Sequence, residues 1–211
     1  DSGAWQMLAV LHFEFGETAD AVRCNGRALA LDPESAAALN TAGNIDKSQG
    51  RLDQAVFSFE RALAVKPDLP QALTNLADCL RLLGGLEDAL APGQKAVDLA
   101  PDMAAAHGNL AAIQLDSGET ESAAAGFERA LALAPEDTIL RINLARALAR
   151  MGDGRCCPCC MEHGVVMQIL AIGITGLISF NHPYTESAED CHRRIFDDSF
   201  FHHHRVTEAV F

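Results

Sequence analysis

The sequence predicts an all-α fold, a solenoid of stacked helical hairpins, and three observations predict it. Pro33, Pro67, Pro101 and Pro135 recur at one constant step. Gly16, Gly50, Gly84, Gly118 and Gly152 keep the same step, as do Ala21, Ala55, Ala89 and Ala123, and Ala28, Ala62, Ala96 and Ala130. Between these marks the apolar residues recur three and four apart, which is the period of one helix face. A repeat of this length describes one supersecondary unit that buries its apolar face only by stacking on its neighbours.

The unit from Glu34 to Pro67 shows how each element arises. Ser35 to Gln49 is Ala-rich and reads as a first helix, A, with Gly50 after it, where a helix end favours a residue tolerant of positive φ. Leu52 to Val65 places Ala55, Phe59, Ala62 and Leu63 on one stripe and reads as a second helix, B. Pro67 stops it, because proline offers no N–H and its ring clashes with the preceding turn. An acidic residue follows each such proline (Glu34, Asp68, Asp102, Glu136) and is expected at the positive end of the next helix. Small residues on A (Gly43, Ala77, Ala111, Ala145) and on B (Ala55, Ala62 and their copies) allow close helix approach, and large ones fill between them.

Two repeats depart from the pattern. Asn25 replaces the aromatic of helix B in the first, which weakens that contact. Ala91-Pro92-Gly93 falls inside helix B of the third, where an interior proline costs about 3 kcal/mol and glycine about 1 kcal/mol relative to alanine. A kink, looser packing and local melting are expected there, with faster hydrogen exchange over 90–97 than over 124–131.

These marks resemble the tetratricopeptide repeat, with Trp5 as an aromatic start and Phe59 and Phe127 as the second aromatic. The resemblance implies a right-handed α-solenoid of helical hairpins. It spans residues 2–152, divided as 2–35, 36–69, 70–103, 104–137 and a partial 138–152, followed by a Cys-rich linker (153–163) and an irregular helical segment (164–211). The chain opens Asp1-Ser2 with Trp5 already at the fourth repeat position, so a cropped or cleaved start is expected, with room for further repeats before it.

The resemblance also implies a concave groove lined by the A helices. Asn75, Asn109 and Asn143 share one groove position on the same constant step, with Met7 and Thr41 at that position earlier. An amide side chain carries one acceptor oxygen and two N–H donors, matching the N–H and C=O of an extended peptide. The alternative is that each Asn braces the neighbouring helix. Asn-Leu-Ala in helix A and the stretch from Lys66 to Leu80 resemble the repeats of the O-linked N-acetylglucosamine transferases, whose Asn ladder holds protein substrates. The chain 180–194 is similar to the linker that precedes their catalytic domain. On that resemblance the chain would be the substrate-recognition part of a glycosyltransferase, with the catalytic domain lying outside it. A rival within the repeat family clamps a terminal carboxylate. Asn40, Asn44 and Lys47 share a face, and Arg81 and Arg146 lie further along, but Gln6 and Val10 stand where the first-helix pair belongs. These five residues join the three asparagines as the candidate groove.

Composition bounds the remaining choices. The 211 residues are 49% hydrophobic and only 6% aromatic, so alanine and leucine supply the packing. A net charge of −13 argues against nucleic acid and against an anionic membrane surface, both of which call for Lys and Arg. The partners expected are other proteins or extended peptides. Seven cysteines without framework spacing point to a reducing compartment, hence the cytoplasm.

Five of the cysteines and six of the eight histidines lie beyond residue 155. Cys156, Cys157, Cys159 and Cys160 with His163 have the chemistry of a zinc or copper(I) site, but five packed ligands do not close on one tetrahedron, and a linker with no metal is the reading adopted. The uncharged run 164–180 is too short and too polar for a span of about 20 apolar residues and is expected as a buried helix. An acylated membrane anchor, and a tail that does not continue the natural reading frame, are the alternatives. No phosphate loop, nucleophile elbow or paired carboxylates appear, so neither an enzyme activity nor a cofactor is expected.

Overall fold

The computed structural model describes residues 1–151. Among the described residues there are nine α-helices and no strand: α1 (Ser2–Glu14), α2 (Thr18–Leu31), α3 (Ala36–Ser48), α4 (Leu52–Val65), α5 (Pro70–Leu82), α6 (Leu86–Leu99), α7 (Ala104–Asp116), α8 (Thr120–Leu133) and α9 (Thr138–Arg150). The odd-numbered helices are the A helices and the even-numbered ones the B helices. The chain divides into two units after Gly118, so α1–α7 form one and the chain from Glu119, with α8 and α9, belongs to the other. The tail features, including the cysteine cluster, His163 and the run 164–180, lie outside the described residues.

Each A-to-B turn is built on one glycine. Gly16, Gly50, Gly84 and Gly118 have φ between 74° and 88°, a region that strains any residue with a Cβ. At Gly50 the turn closes with Gly50 N–H on Lys47 O (3.0 Å) and Arg51 N–H on Asp46 O (2.9 Å), the paired bonds of a Schellman end. The B-to-A joint has another cause. The residue before each proline is driven out of the helical region, and Asp32, Lys66, Ala100 and Ala134 have φ between −131° and −144°.

The acidic residues that follow the prolines lie one step short of the helix caps. The cap of α3 is Ser35, whose side chain accepts from Ala38 N–H, and that of α9 is Asp137, which accepts from Ile139 and Leu140 N–H. Asp68 instead pairs with Lys95 Nζ at 3.1 Å. Helix A of the second repeat is accordingly one residue shorter at each end than the sequence suggested.

In the first unit, Ala55, Phe59 and Ala62 of α4 close on Ala72, Leu76 and Cys79 of α5 and on Leu39 of α3, all buried. Gly43 is small because Phe59 lies against it: a Cβ there would meet the Phe59 ring at 2.5 Å. The departing residues of the first and third repeats, Asn25 and Gly93, are both buried. Asn25 is buried and its amide donates to Ala38 O at 3.1 Å, while its Oδ1 has no partner among the described residues. Helix α6 runs unbroken from Leu86 to Leu99 with Pro92 inside it. Gly93 is packed closely, since a Cβ there would lie 3.3 Å from Ile113 Cδ1 and 3.4 Å from Leu110 Cδ1. At Gly93 itself the looser packing expected is therefore not found, because side chains of α7 close on the place where an aromatic side chain would begin.

Candidate functional site

The A helices of the first unit present their polar residues along one face at helical spacing. Asn40, Asn44 and Lys47 come from α3, Asn75, Asp78 and Arg81 from α5, and Asn109 and Asp116 from α7. Three- and four-residue steps put such residues on one side of each helix. The opposite side of α5 is committed to the core through Ala72, Leu76 and Cys79.

These side chains join into a network. Asn75 Nδ2 donates to Asn44 Oδ1 at 2.9 Å, and Lys47 Nζ donates to Asn75 Oδ1 at 3.4 Å. Lys47 Nζ lies 2.5 Å from Asp78 Oδ2. Arg81 donates one N–H group to Asp78 Oδ1 (2.9 Å) and another to Asp116 Oδ2 (2.8 Å). Asn109 Nδ2 donates to the Thr74 carbonyl at 3.3 Å, again across two A helices. Further towards the start, Gln6 Nε2 donates to Thr41 Oγ1 at 3.4 Å. The asparagines thus bridge neighbouring A helices.

The electrostatics follow from this packing. Burial pushes the Asp78 carboxyl upward, but the hydrogen bonds and charges of Lys47 and Arg81 outweigh it and hold the carboxyl below the usual range. Burial lowers Arg81, and the carboxylates of Asp116 and Asp78 outweigh that effect and raise it above its usual value. On the core side of α5, burial raises the Cys79 thiol to about 11, which makes it a packing residue and a poor nucleophile.

The candidate residues therefore fall into three groups. Asn44, Lys47, Asn75 and Arg81 meet in one network, and Asn109 extends the same face. Asn40 lies on α3 with its Oδ1 buried and without a hydrogen-bond partner among the described residues. Asn143 and Arg146 belong to α9 in the second unit, where Arg146 donates to Asn143 Oδ1 at 3.1 Å. Sequence reasoning missed Asp78 and Asp116. The signal was present, because Arg81 follows Asp78 by three residues and holds the repeat place of Lys47. It also missed a row of cations on the B helices, Arg27, Arg61, Lys95 and Arg129, which keep the step of the prolines. Arg61 and Lys95 donate to the Pro33 and Pro67 carbonyls at 3.2 and 2.9 Å and so tie α4 and α6 back to the joint before each.

Family models of the tetratricopeptide repeat match residues 40–104 and 106–141. These residues are tetratricopeptide repeats. The solved structures agree in fold. The tetratricopeptide protein TTC0263 of Thermus thermophilus is 21% identical with a TM-score of 0.65, covering 82% of this chain and 90% of that one. YrrB, whose structure is described as that of a tetratricopeptide protein with an unusual peptide-binding site, is 19% identical with a TM-score of 0.60, covering 98% and 92%. MamA of Desulfovibrio magneticus RS-1 is 17% identical with a TM-score of 0.62, covering 81% and 93%. No curated protein matches the sequence. The matches reach the repeat itself and no transferase subtype within it. No helix among the described residues is long and apolar enough to cross a membrane.

Proposed function

We propose that this chain is a protein-interaction scaffold that holds an extended protein segment along its A helices, chiefly through the main chain of that segment. The observation that carries the reading is the pair Asn75 and Asn109, half-buried and at the same repeat place. Each amide has two N–H groups, and the hydrogen bonds described above engage one of each. The second N–H is available to a peptide carbonyl. Asn143 is the third member of the set by repeat place. The peptide-binding site described for YrrB supports the same use of the fold.

Replacing Asn75, Asn109 and Asn143 together by Ala tests the reading. The probe is a mixture of uncharged, end-blocked twelve-residue peptides, first enriched on the full chain. A net hydrogen bond contributes about 0.5–1.5 kcal/mol, so affinity for the enriched peptides falls about tenfold or more while circular dichroism stays unchanged. Undiminished affinity in the folded variant overturns the reading.

A further inference from the structure

The two cations of the A-helix face are already matched by the protein itself. Lys47 and Arg81 carry two positive charges, and Asp78 and Asp116 carry two negative ones within 2.5–2.9 Å of them. Asp78 stands between both cations, with its side chain 14% exposed against 26% for Lys47 and 22% for Arg81. In such partly desolvated surroundings a charge contact is stronger than on an open surface.

The repeat register shows what Asp78 adds. Asn44, Asp78 and Ala112 hold one place in successive A helices, and Lys47 and Arg81 hold another. That repeat place is therefore neutral at Asn44 and anionic at Asp78, where it falls between the two cations. With a neutral residue there, Lys47, Arg81 and the amide groups of Asn44 and Asn75 would form a set of donors suited to a carboxylate.

We propose that Asp78 is a specificity gate: its carboxylate occupies the anion position between Lys47 and Arg81, so the face accepts an uncharged main chain and rejects segments that bring a carboxylate. This rests on the reading of the A-helix face as a peptide groove. A ligand carboxylate has either to displace Asp78 or to lie beside it, and like charges at such distances repel. The net charge of −13 adds to that repulsion at longer range.

The test compares two labelled nine-residue peptides of Gly, Ser, Ala and Val, one ending in an amide and the other in two aspartates with a free carboxylate. Fluorescence anisotropy is read on the full chain and on Asp78→Asn. The native chain binds the carboxylate peptide more weakly than the amide. Asp78→Asn shifts the ratio of affinities about tenfold or more towards the carboxylate peptide, and added salt erodes that shift. Binding of the acidic peptide by the native chain as tight as that of the amide, or an unchanged ratio in the folded variant, overturns the gate. If circular dichroism shows Asp78→Asn unfolded, Asp116→Asn replaces it. That variant releases one N–H group of Arg81 and shifts the ratio in the same direction by less, and no shift overturns the gate. Failure of the groove reading looks different: neither peptide then binds to either form.

Discussion

Helices α4 and α6 are copies of one element in successive repeats, and they fill their middle turn in opposite ways. In α4 the turn carries Phe59, and the facing A helix yields with Gly43. In α6 the turn carries Gly93, and the next A helix advances with Ile113 and Leu110. What the two repeats share is close contact at this place, with either partner free to supply it. The same freedom does not extend to the turns, where φ between 74° and 88° restricts the choice to glycine each time.

Mutations can break this comparison. Phe59→Ala has the largest expected effect, about 3–5 kcal/mol of lost stability by urea denaturation, because Gly43 cannot refill the space. Pro92→Ala acts in the other direction. It restores an N–H inside α6 and raises stability by up to about 3 kcal/mol, measured in the same way. Gly43→Ala forces a methyl into the Phe59 ring and costs about 1–3 kcal/mol, and combining it with Phe59→Leu recovers part of that loss. Gly93→Ala crowds the flexible ends of Ile113 and Leu110, with Ala77 Cβ at ordinary contact distance (3.7 Å), and changes stability by less than about 1 kcal/mol, because the gain in helix propensity offsets the crowding.

The smallest expected effect concerns the polar face. The Asp78 carboxyl is lower in the folded chain than in the unfolded one. Its contribution to stability is therefore fully present above the unfolded carboxyl value of about 3.9 and is lost as pH falls through the lower folded value. Thermal unfolding followed from about pH 7 to about pH 3 should show a smaller acid loss in Asp78→Asn than in the native chain.

The hairpins were legible in the sequence because prolines, glycines and alanines act locally. Leu52–Val65 and Thr138–Arg150 follow directly from where those residues stand. The filling of the gap at Gly93 was not legible, because it depends on Ile113 and Leu110 arriving from a helix further along the chain. The groove was legible only in part. The equal spacing of Asn75 and Asn109 marks a face, but one-dimensional spacing does not tell that Asn75 meets Asn44 or that Asn109 reaches the Thr74 carbonyl. The pairs Lys47–Asp78 and Arg81–Asp116 were missed for the same reason, since their members belong to different repeats and meet only when the repeats stack.

Photo-crosslinking tests the central claim most directly. An enriched peptide carrying one benzophenone group is bound to the full chain, irradiated and mapped by mass spectrometry. Crosslinks on the polar face of α3, α5 and α7, around Asn44, Asn75 and Asn109, are the result predicted. Crosslinks confined to the B helices α2, α4 and α6 would contradict it.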